Sequence, residues 1–278
     1  MPELPEVETV RRGLEQVWPG RVFSRVLVRR SDLRRPLPPH FAHHLEGCRI
    51  ESVTRRAKYL LITLQANQVM LMHLGMSGRL QIARADGTAP GPHDHVIFQT
   101  DEGTVVSFRD PRRFGLMDLC SATALATHPL LVRLGPEPLD PAFDGQTLAK
   151  ALAKRKGPVK TALLDQHLVA GLGNIYACEA LYRAGLAPDR RADSITGPAA
   201  ETLVQAIRTV LNEAIAAGGS TLRDYVRPDG QEGYFQHAFA VYGREGQACG
   251  ACDCNGRGRV VRVVQSGRST FFCPEKQV

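Results

Sequence analysis

Residues 59–72 read YLLITLQANQVMLM, and this stretch decides the fold class of the first half of the chain. Two short apolar segments, Tyr59–Leu64 and Val69–Met72, flank the turn-like pair Ala66-Asn67. Apolar runs of this length, bounded by turn residues, are typical of buried strands. The stretch therefore predicts β structure.

Similar segments continue on both sides of this stretch. Val26 and Val28 alternate with polar neighbours, and Val96–Phe98 and Val105–Phe108 are further short apolar runs. Residues 22 to about 108 are therefore predicted to form a β region.

Helical spacing flanks the β region on both sides. Before it, Pro19-Gly20 ends a predicted helix with the apolar residues Val7, Val10, Leu14 and Val17. After it, Gly218-Gly219 ends an amphipathic helix with the apolar residues Leu203, Val204, Ile207, Val210, Leu211, Ala214 and Ile215. The sequence therefore predicts an α+β protein whose helical part follows its β part.

The domain bounds follow from these changes in pattern. We predict an N-terminal β domain over residues 1–130 and a Pro-rich linker over residues 131–147. A helical domain over residues 148–240 and a small cysteine-bearing tail over residues 241–278 complete the chain.

Composition narrows the class of protein further. The chain has 278 residues, of which 43% are apolar and 23% charged, which argues against a disordered or fibrous protein. Its 35 basic and 28 acidic residues give a net charge of +7, which favours an anionic partner such as nucleic acid or a membrane surface. No apolar run approaches the roughly 20 residues that span a bilayer, and the N-terminus lacks the pattern of a signal peptide. We therefore expect a soluble, intracellular protein.

The seven cysteines are unevenly distributed. The isolated ones are expected to be buried thiols, namely Cys48, Cys120 and Cys178. The others crowd the C-terminal end, namely Cys249, Cys252, Cys254 and Cys273. In a chain without an export signal, such a cluster predicts a metal site rather than disulfides.

The N-terminus contains a candidate nucleophile. Removal of Met1 would leave Pro2 with a free secondary amine. An α-amino group titrates near pH 7.7–8.0, roughly 2.5 units below a lysine, so part of it is neutral and nucleophilic at pH 7. Attack on a sugar C1′ would give an iminium, and the adjacent Glu3 could act as a general acid.

This N-terminal start is the first of several motifs that follow one another along the chain. They are MPELPEVET (1–9), RRAKYL (55–60), HLGMSG (73–78), DPRRFG (110–115), LDQ (164–166), GLGNIYA (171–177) and GRST (267–270). Together they resemble the bacterial formamidopyrimidine-DNA glycosylases, bifunctional enzymes that remove 8-oxoguanine and ring-opened purines. The resemblance implies an N-terminal β-sandwich, a helix–two-turn–helix domain that binds DNA, and a zinc-finger-type β-hairpin.

The resemblance also implies the catalytic residues. Pro2 would attack C1′ of the damaged nucleotide while Glu3 protonates the opening sugar. Lys58 would assist β-elimination and Arg268 would assist δ-elimination, so that the strand is cut on both sides of the lesion. Its position between the polar Arg55-Arg56 and an apolar strand suits an ammonium that reaches the mouth of an active site, and the alternative is a solvated or phosphate-contacting lysine.

A base that reacts must leave the stack, and its departure opens a gap in the duplex. The resemblance implies that Met76, Arg112 and Phe114 fill this gap. Apolar side chains wedge between base steps, and arginine can hydrogen-bond the orphaned base. On its own Met76 would suggest core packing, but the flanking Gly75 and Gly78 favour an exposed loop tip.

Further residues match DNA contacts of the family. They are His93, Arg155, Lys160 and Asn174. Asn174 follows a glycine-rich turn and opens a predicted helix that ends near Tyr182. The free backbone amides at the start of such a helix favour an anion. Arg155 and Lys160 belong to a basic run that is otherwise typical of a solvated face. The loop from Ser220 to Tyr234 corresponds to the one that closes over the flipped base.

The metal site departs from the family pattern. A four-cysteine hairpin is implied, but Lys276 stands where the fourth cysteine belongs. Zinc, one ion per chain, is expected, and Cys249, Cys252, Cys254 and Cys273 would restore four sulfurs. Two alternatives remain: Cys254 replaces Cys252 and leaves three ligands, or the hairpin holds no metal.

Two other functions compete with removal of oxidised purines. An endonuclease VIII-type enzyme for oxidised pyrimidines usually has glycine where Leu4 stands and lacks the three gap-filling residues. A non-catalytic DNA-binding relative would be expected to lose Pro2, Glu3 or Lys58, which are all present. We expect a cytoplasmic monomer that binds damaged double-stranded DNA, with no membrane and no obligate protein partner.

Overall fold

The chain forms two compact units. A computed structural model describes residues 2–84, 89–221, 228, 230–231, 233–249 and 258–278. Unit 1 comprises Met1–Val132 and Ala217–Gln236, and unit 2 comprises Arg133–Ala216 and His237–Val278. Each unit is therefore assembled from two separate pieces of the chain.

Unit 1 contains two helices and eight strands within its described residues. The helices are α1 (Leu4–Glu15) and α2 (Phe41–Leu45). The strands are β1 (Phe23–Val28), β2 (Ile50–Arg56), β3 (Tyr59–Leu64), β4 (Gln68–His73), β5 (Arg79–Arg84), β6 (Asp94–Thr100), β7 (Thr104–Arg109) and β8 (Leu116–Ser121).

The strands form two antiparallel sheets. Their orders are β1-β6-β7-β5 and β2-β3-β4-β8. In the second sheet, β3 and β4 pair from Tyr59–His73 to Leu64–Gln68. The turn between them has left-handed backbone at Ala66 and Asn67, with φ of 59° and 60°. The β structure predicted from residues 59–72 is confirmed.

Both sheets contribute side chains to a single core. Phe98 and Phe108 come from the first sheet, while Leu60 and Met72 come from the second. Trp18 closes the core, with its ring edge-on to Phe98 at a centroid distance of 5.6 Å. A core shared by two sheets is a β-sandwich, as the sequence predicts.

Helix α1 covers one side of this sandwich. Its buried face consists of Val7, Val10 and Leu14, which lie on one side of a helix because of their spacing. The backbone N–H of Glu3 donates to the carboxylate of Glu6 at 2.8 Å, as in a capping box. The predicted N-terminal helix is confirmed.

Unit 2 contains four helices and a β-hairpin within its described residues. These elements are α3 (Gly145–Leu152), α4 (Val159–Leu163), α5 (Asn174–Ala184), α6 (Gly197–Ala216), β9 (Val261–Gln265) and β10 (Arg268–Phe272). Helix α6 ends just before Gly218 and Gly219, whose φ values of 76° and 83° suit only glycine well. The predicted amphipathic helix is confirmed, and so is the predicted start of α5 at Asn174.

The hairpin packs on α5. Gln265 pairs with Arg268 across a turn in which Ser266 and Gly267 both have positive φ. A small buried cluster joins the hairpin to the helix, namely Cys178, Tyr182, Val241, Cys249, Val260, Phe271 and Cys273. The α+β class, with helices following a β-sandwich, is confirmed. In the part of the chain that the structure describes, no helix is long and apolar enough to cross a membrane.

Candidate active site and nucleic-acid interface

The predicted nucleophile lies at the start of α1. Pro2 and Glu3 are both buried, and Glu3 is only 2% exposed. The bond from the backbone N–H of Glu3 to Glu6 fixes the first turn of the helix. The two predicted catalytic residues are therefore held by the helix start rather than by a free chain end.

Glu6 makes a second backbone contact. Its Oε1 accepts a hydrogen bond from the backbone N–H of Ser220 at 2.8 Å, within the same unit. Ser220 opens the predicted base-binding loop, of which residues 222–227, 229 and 232 lie outside the described residues. One carboxylate thus joins the start of that loop to the residue after Pro2. Glu6 is not among the residues predicted for the site, although its spacing from Glu3 is that of a capping box.

Lys58 lies in the tight turn between β2 and β3. Ala57 in this turn has left-handed backbone, with φ of 53°. Lys58 itself is buried, with only 7% of its surface exposed. Arg55 holds the turn, because its Nη1 donates to the carbonyl of Ala57 at 2.9 Å. Its Nε forms an ion pair with Glu8 of α1 at 3.2 Å. The structure therefore ties the Lys58 turn to the helix that begins after Glu3.

An uncharged histidine lies near Lys58. Burial, assisted by the positive charges of Lys58 and Arg34, lowers the pKa of His73 from 6.5 to about 4. Its Nδ1 accepts a hydrogen bond from the backbone N–H of Gly75 at 2.9 Å, which leaves the ring proton on Nε2. The imidazole is therefore neutral near pH 7. His73 is not among the residues predicted for the site, although it opens the motif HLGMSG (73–78).

The three predicted gap-filling residues project from two loops. Met76 is 38% exposed and Phe114 is 41% exposed, unusual values for large apolar side chains. The guanidinium of Arg112 lies 5.0 Å from the centroid of the Phe114 ring, within cation–π distance. These side chains are not part of the core, in agreement with the predicted loop-tip position of Met76.

The two loops touch through their backbones. Gly75 has φ of 65°, and a Cβ added there would lie 2.3 Å from the carbonyl carbon and oxygen of Phe114. Only glycine allows so close an approach. His93 joins the same region, because its carbonyl accepts a hydrogen bond from the backbone N–H of Asp110 at 3.0 Å.

In unit 2, two predicted DNA contacts converge on the hairpin. Lys160 is fully buried, and its Nζ donates to Oγ1 of Thr270 at 2.6 Å. Nδ2 of Asn174 donates to the carbonyl of Ser269 at 2.9 Å. Both bonds hold the residues that directly follow the exposed Arg268. The structure therefore gathers Lys160, Asn174 and Arg268 around one end of β10.

Arg155 and Asn174 differ in exposure and in hydrogen bonding. Arg155 is exposed and forms an ion pair with Asp165 at 3.0 Å. Oδ1 of Asn174 is buried and has no hydrogen-bond partner among the described residues. A buried acceptor of this kind is costly unless water or a ligand satisfies it.

The cysteine cluster is only partly described. Cys249 and Cys273 are buried, while Cys252 and Cys254 lie outside the described residues. Burial, together with the neighbouring Cys249 thiol, raises the pKa of Cys273. Two adjacent thiols fit half of a four-sulfur zinc site, although the described residues alone contain no group of three possible ligands.

Lys276 occupies the position where a fourth cysteine was expected. Its Nζ lies 4.8 Å from the centroid of the Tyr182 ring, and the hydroxyl of Tyr182 lies 2.9 Å from Sγ of Cys249. The ammonium therefore packs on an aromatic ring that itself contacts a predicted ligand.

Comparison with known proteins agrees with this architecture. Residues 1–117 match the formamidopyrimidine-DNA glycosylase N-terminal domain, and residues 134–226 match the formamidopyrimidine-DNA glycosylase H2TH domain. These two matches define the class: a DNA glycosylase built from a β-sandwich and a helix–two-turn–helix domain.

Individual relatives narrow the class to a family. The formamidopyrimidine-DNA glycosylase of Rhodospirillum centenum is 56% identical, with all of both chains covered. The crystal structure of MutM (Fpg) from Thermus thermophilus is 44% identical, with a TM-score of 0.87 over 99% of this chain and 98% of that one. The Lactococcus lactis Fpg in complex with N7-benzyl-Fapy-dG-containing DNA is 32% identical, with a TM-score of 0.89 over 99% of both chains.

The chain belongs to the formamidopyrimidine-DNA glycosylase family. It is a base-excision-repair DNA glycosylase for oxidised purines and an AP lyase, and its partner is damaged DNA. The endonuclease VIII-type alternative and the non-catalytic alternative are not favoured. Members of this family generally bind zinc.

Proposed function

We propose that Pro2, freed by removal of Met1, is the nucleophile of the base-removal step. Its nitrogen forms a bond to C1′ of the damaged nucleotide while the glycosidic bond breaks and the base leaves. Glu3 donates a proton to the ring oxygen as the sugar opens, which leaves an iminium between Pro2 and C1′. The observation that carries this assignment is the burial of Glu3 beside Pro2 at a helix start fixed by Glu6.

Strand cleavage follows from the same iminium. Loss of a proton from C2′ expels the 3′ phosphate, and Lys58 assists this β-elimination from the turn that Arg55 ties to α1. A second elimination expels the 5′ phosphate, and Arg268 donates the proton and contacts the phosphate. The neutral His73 supports the role of Lys58, because it adds no second positive charge beside this ammonium.

The substrate is a duplex that contains 8-oxoguanine or a formamidopyrimidine. One related structure holds DNA with N7-benzyl-Fapy-dG, a ring-opened purine. Met76, Arg112 and Phe114 fill the gap that the flipped base leaves, and their exposure on touching loops supports this role. The contacts with the DNA backbone come from His93, Arg155 and Asn174. Lys160, predicted from the sequence as a further contact, instead supports β10 through Thr270, because its ammonium is fully buried.

The decisive experiment is borohydride trapping, which reduces the iminium to a stable adduct. The substrates are a duplex with one 8-oxoguanine opposite cytosine and a matched duplex with an oxidised pyrimidine. The expected result is an adduct that maps to Pro2 and forms faster on the purine duplex. An adduct at Lys58, or strand cleavage by a protein with a blocked N-terminus, would refute the assignment of Pro2. Faster trapping on the pyrimidine duplex would favour the endonuclease VIII-type alternative.

Zinc is the proposed cofactor, at one ion per chain. Cys249 and Cys273 would hold it, with Cys252 and Cys254 as the remaining ligands, and the ion would stabilise the hairpin that carries Arg268. Metal analysis of protein purified without chelators is expected to find about one zinc per chain. Cys273→Ser should lose it, whereas Cys48→Ser in unit 1 should retain it. A zinc content well under one per chain in the unaltered protein would overturn this proposal.

The protein is expected to act as a cytoplasmic monomer on chromosomal DNA. One lesion site per chain needs no second copy, and nothing in the proposed reaction needs a membrane or an obligate protein partner. Sedimentation of the protein with and without a lesion duplex tests this, because one chain per duplex is the expected stoichiometry.

A further inference from the structure

A buried hydrogen-bonded pair lies beneath the two gap-filling loops. Oγ of Ser77 donates to Oδ1 of Asp110 at 2.5 Å. Ser77 is 3% exposed and Asp110 is fully buried. Ser77 directly follows Met76, and Asp110 precedes Arg112 by two residues. One side-chain bond therefore joins the bases of both loops.

Each member of the pair also holds the backbone of the second loop. Oγ of Ser77 accepts a hydrogen bond from the backbone N–H of Arg112 at 3.1 Å. Oδ2 of Asp110 accepts one from the backbone N–H of Gly115 at 2.7 Å. The segment that carries Arg112 and Phe114 is thus fixed at both ends.

The turn inside this segment needs such support. Arg113 has left-handed backbone, with φ of 58°, which is uncommon for a residue with a long side chain. Its N–H donates to the carbonyl of Asp110 at 3.1 Å. Strained backbone of this kind persists only where its surroundings hold it.

The main chain of Asp110 extends the arrangement to a third segment. Its carbonyl lies 2.9 Å from Nε2 of the buried His95, and its N–H donates to the carbonyl of His93. Asp110 therefore contacts the loop of Met76, the loop of Arg112 and the segment of His93.

Exposed side chains at loop tips have no core packing to fix them. Binding then costs the entropy of ordering them, unless the backbone beneath is already rigid. Met76, Arg112 and Phe114 are exposed, yet their loops are joined through Ser77 and Asp110 and through the close approach of Gly75 to Phe114.

We infer that Ser77 and Asp110 are positioning residues that hold the three gap-filling side chains as one preformed wedge before the base leaves the stack. This inference rests on the proposed gap-filling role. Both side chains are buried, so the inference assigns them neither a contact with DNA nor a part in the bond changes at C1′. Their effect should therefore appear only on substrates that require a base to be extruded from a duplex.

The test compares two substrates in two variants, Asp110→Asn and Ser77→Ala. One substrate is a duplex with 8-oxoguanine, and the other is a single strand with a preformed abasic site, which has no base to extrude. We expect base removal from the duplex to fall about ten-fold to a hundred-fold, as for other small displacements of positioned groups. Cleavage of the single strand should stay within about two-fold of the unaltered protein, because it uses Pro2, Lys58 and Arg268 but requires no base to be extruded.

Thr100→Val is the matched control. Thr100 is 1% exposed and accepts a hydrogen bond from the backbone N–H of Thr104 at 3.2 Å. It ends β6, at the far end of the strand from Asp94, which pairs with Arg109 next to Asp110. Its loss should lower the melting temperature without changing the ratio of duplex to single-strand rates. Equal losses on both substrates in the Asp110 and Ser77 variants, or no loss on either, would overturn the inference.

A fluorescent base separates this inference from the chemistry. With 2-aminopurine next to the lesion, insertion of the wedge is read as a rise in fluorescence that needs no bond to break. The rise should be slower in both variants than in the unaltered protein and in Thr100→Val. An unchanged rate of rise in the Ser77 and Asp110 variants would overturn the inference. If the unaltered protein shows the fluorescence rise but gives no borohydride adduct, only the role of Pro2 is refuted.

Discussion

Oε1 of Glu6 accepts a hydrogen bond from the backbone N–H of Ser220 at 2.8 Å, across 214 residues of sequence. Both residues are buried, so the bond is shielded from water. A charge-assisted hydrogen bond in such a place is stronger than a neutral one and costly to break. The start of the proposed base-binding loop is thereby joined to the helix that follows the proposed nucleophile.

Glu6→Gln should weaken this junction with little change in volume. An amide offers one oxygen where the carboxylate offers two, so either Glu3 or Ser220 loses its acceptor. We expect a loss of about 1.5–3 kcal/mol in unfolding free energy and roughly ten-fold slower trapping by borohydride. Thermal unfolding and trapping kinetics measure the two effects.

Glu15→Gln is the control for this change. Glu15 ends α1, and its side chain is 48% exposed in an ion pair with Arg11. Exposed pairs contribute little to stability, so neither the melting temperature nor the trapping rate should move appreciably. Equal behaviour of the two variants would contradict the role of Glu6.

His73 predicts a pH dependence of stability. Its pKa falls from 6.5 to about 4 on folding, so the unfolded chain binds a proton between these values and the folded chain does not. Stability should therefore fall as the pH drops below 6.5, by about 2 kcal/mol at pH 5 from this group alone. Urea unfolding at pH 7 and pH 5 gives the difference.

His73→Asn isolates that contribution. The asparagine oxygen can accept from Gly75 in place of Nδ1 but cannot titrate, so the loss of stability at pH 5 should be clearly smaller. His43→Gln, an exposed histidine on α2, should behave as the unaltered protein. A pH profile unchanged by His73→Asn would show that other groups cause the acid sensitivity.

Lys160→Met should alter the products of strand cleavage. Its Nζ supports Thr270 and lies 3.5 Å from the carbonyl of Ser269, next to Arg268. Without this ammonium we expect the free energy of unfolding to fall by about 1–2 kcal/mol. We also expect a smaller share of β,δ-elimination products relative to β-elimination products. Gel analysis of the cleaved strands measures the ratio.

The exposed Lys154, replaced by Met, is the matched comparison. Removal of a surface lysine that contacts a phosphate should lower the slope of log K for DNA binding against log salt concentration by about one. It should not change the ratio of cleavage products. Lys160→Met should leave that slope closer to the original value because its ammonium is buried. An unaltered product ratio in Lys160→Met would count against the link to Arg268.

Gly75→Ala should disrupt the contact between the gap-filling loops. The new Cβ would lie 2.3 Å from the backbone of Phe114, at a residue with φ of 65°, so the two backbones must separate. We expect a loss of about 2–4 kcal/mol in stability, well above the roughly 1 kcal/mol that positive φ alone costs an alanine. Gly103→Ala provides that second value, since its φ is 78° and its Cβ would meet nothing within 4 Å. Similar melting temperatures for the two variants would contradict the close approach.

Local patterns predicted most of the secondary structure correctly. Residues 59–72 form two paired strands because apolar runs and a turn suffice to specify a hairpin. Helix α6 is predictable from its apolar periodicity and from the two glycines after it. The flanking Gly75 and Gly78 predict that Met76 lies at an exposed loop tip, and its exposure agrees.

Contacts between distant segments were not predictable in this way. The basic run around Lys160 reads as a solvated face, yet that side chain is fully buried against Thr270, 110 residues away. A five-residue helix such as α4 is too short to show which side faces inward. Asp110 opens the motif DPRRFG (110–115), but its bond to Ser77 depends on how two strands bring their ends together. The roles of the catalytic and zinc-binding residues stay predictions.

The two-piece origin of unit 1 bears on the order in which the ribosome makes it. The strands of its sandwich emerge first, but Ser220 is translated only after the whole of α6. Until then the carboxylate of Glu6 lacks its bond from Ser220, and the start of the proposed base-binding loop does not exist. A gene truncated after Val132 would encode the eight described strands of the sandwich but not Ala217–Gln236, the second piece of unit 1. Such a fragment would contain the proposed catalytic residues Pro2, Glu3 and Lys58 without the segment that binds Glu6.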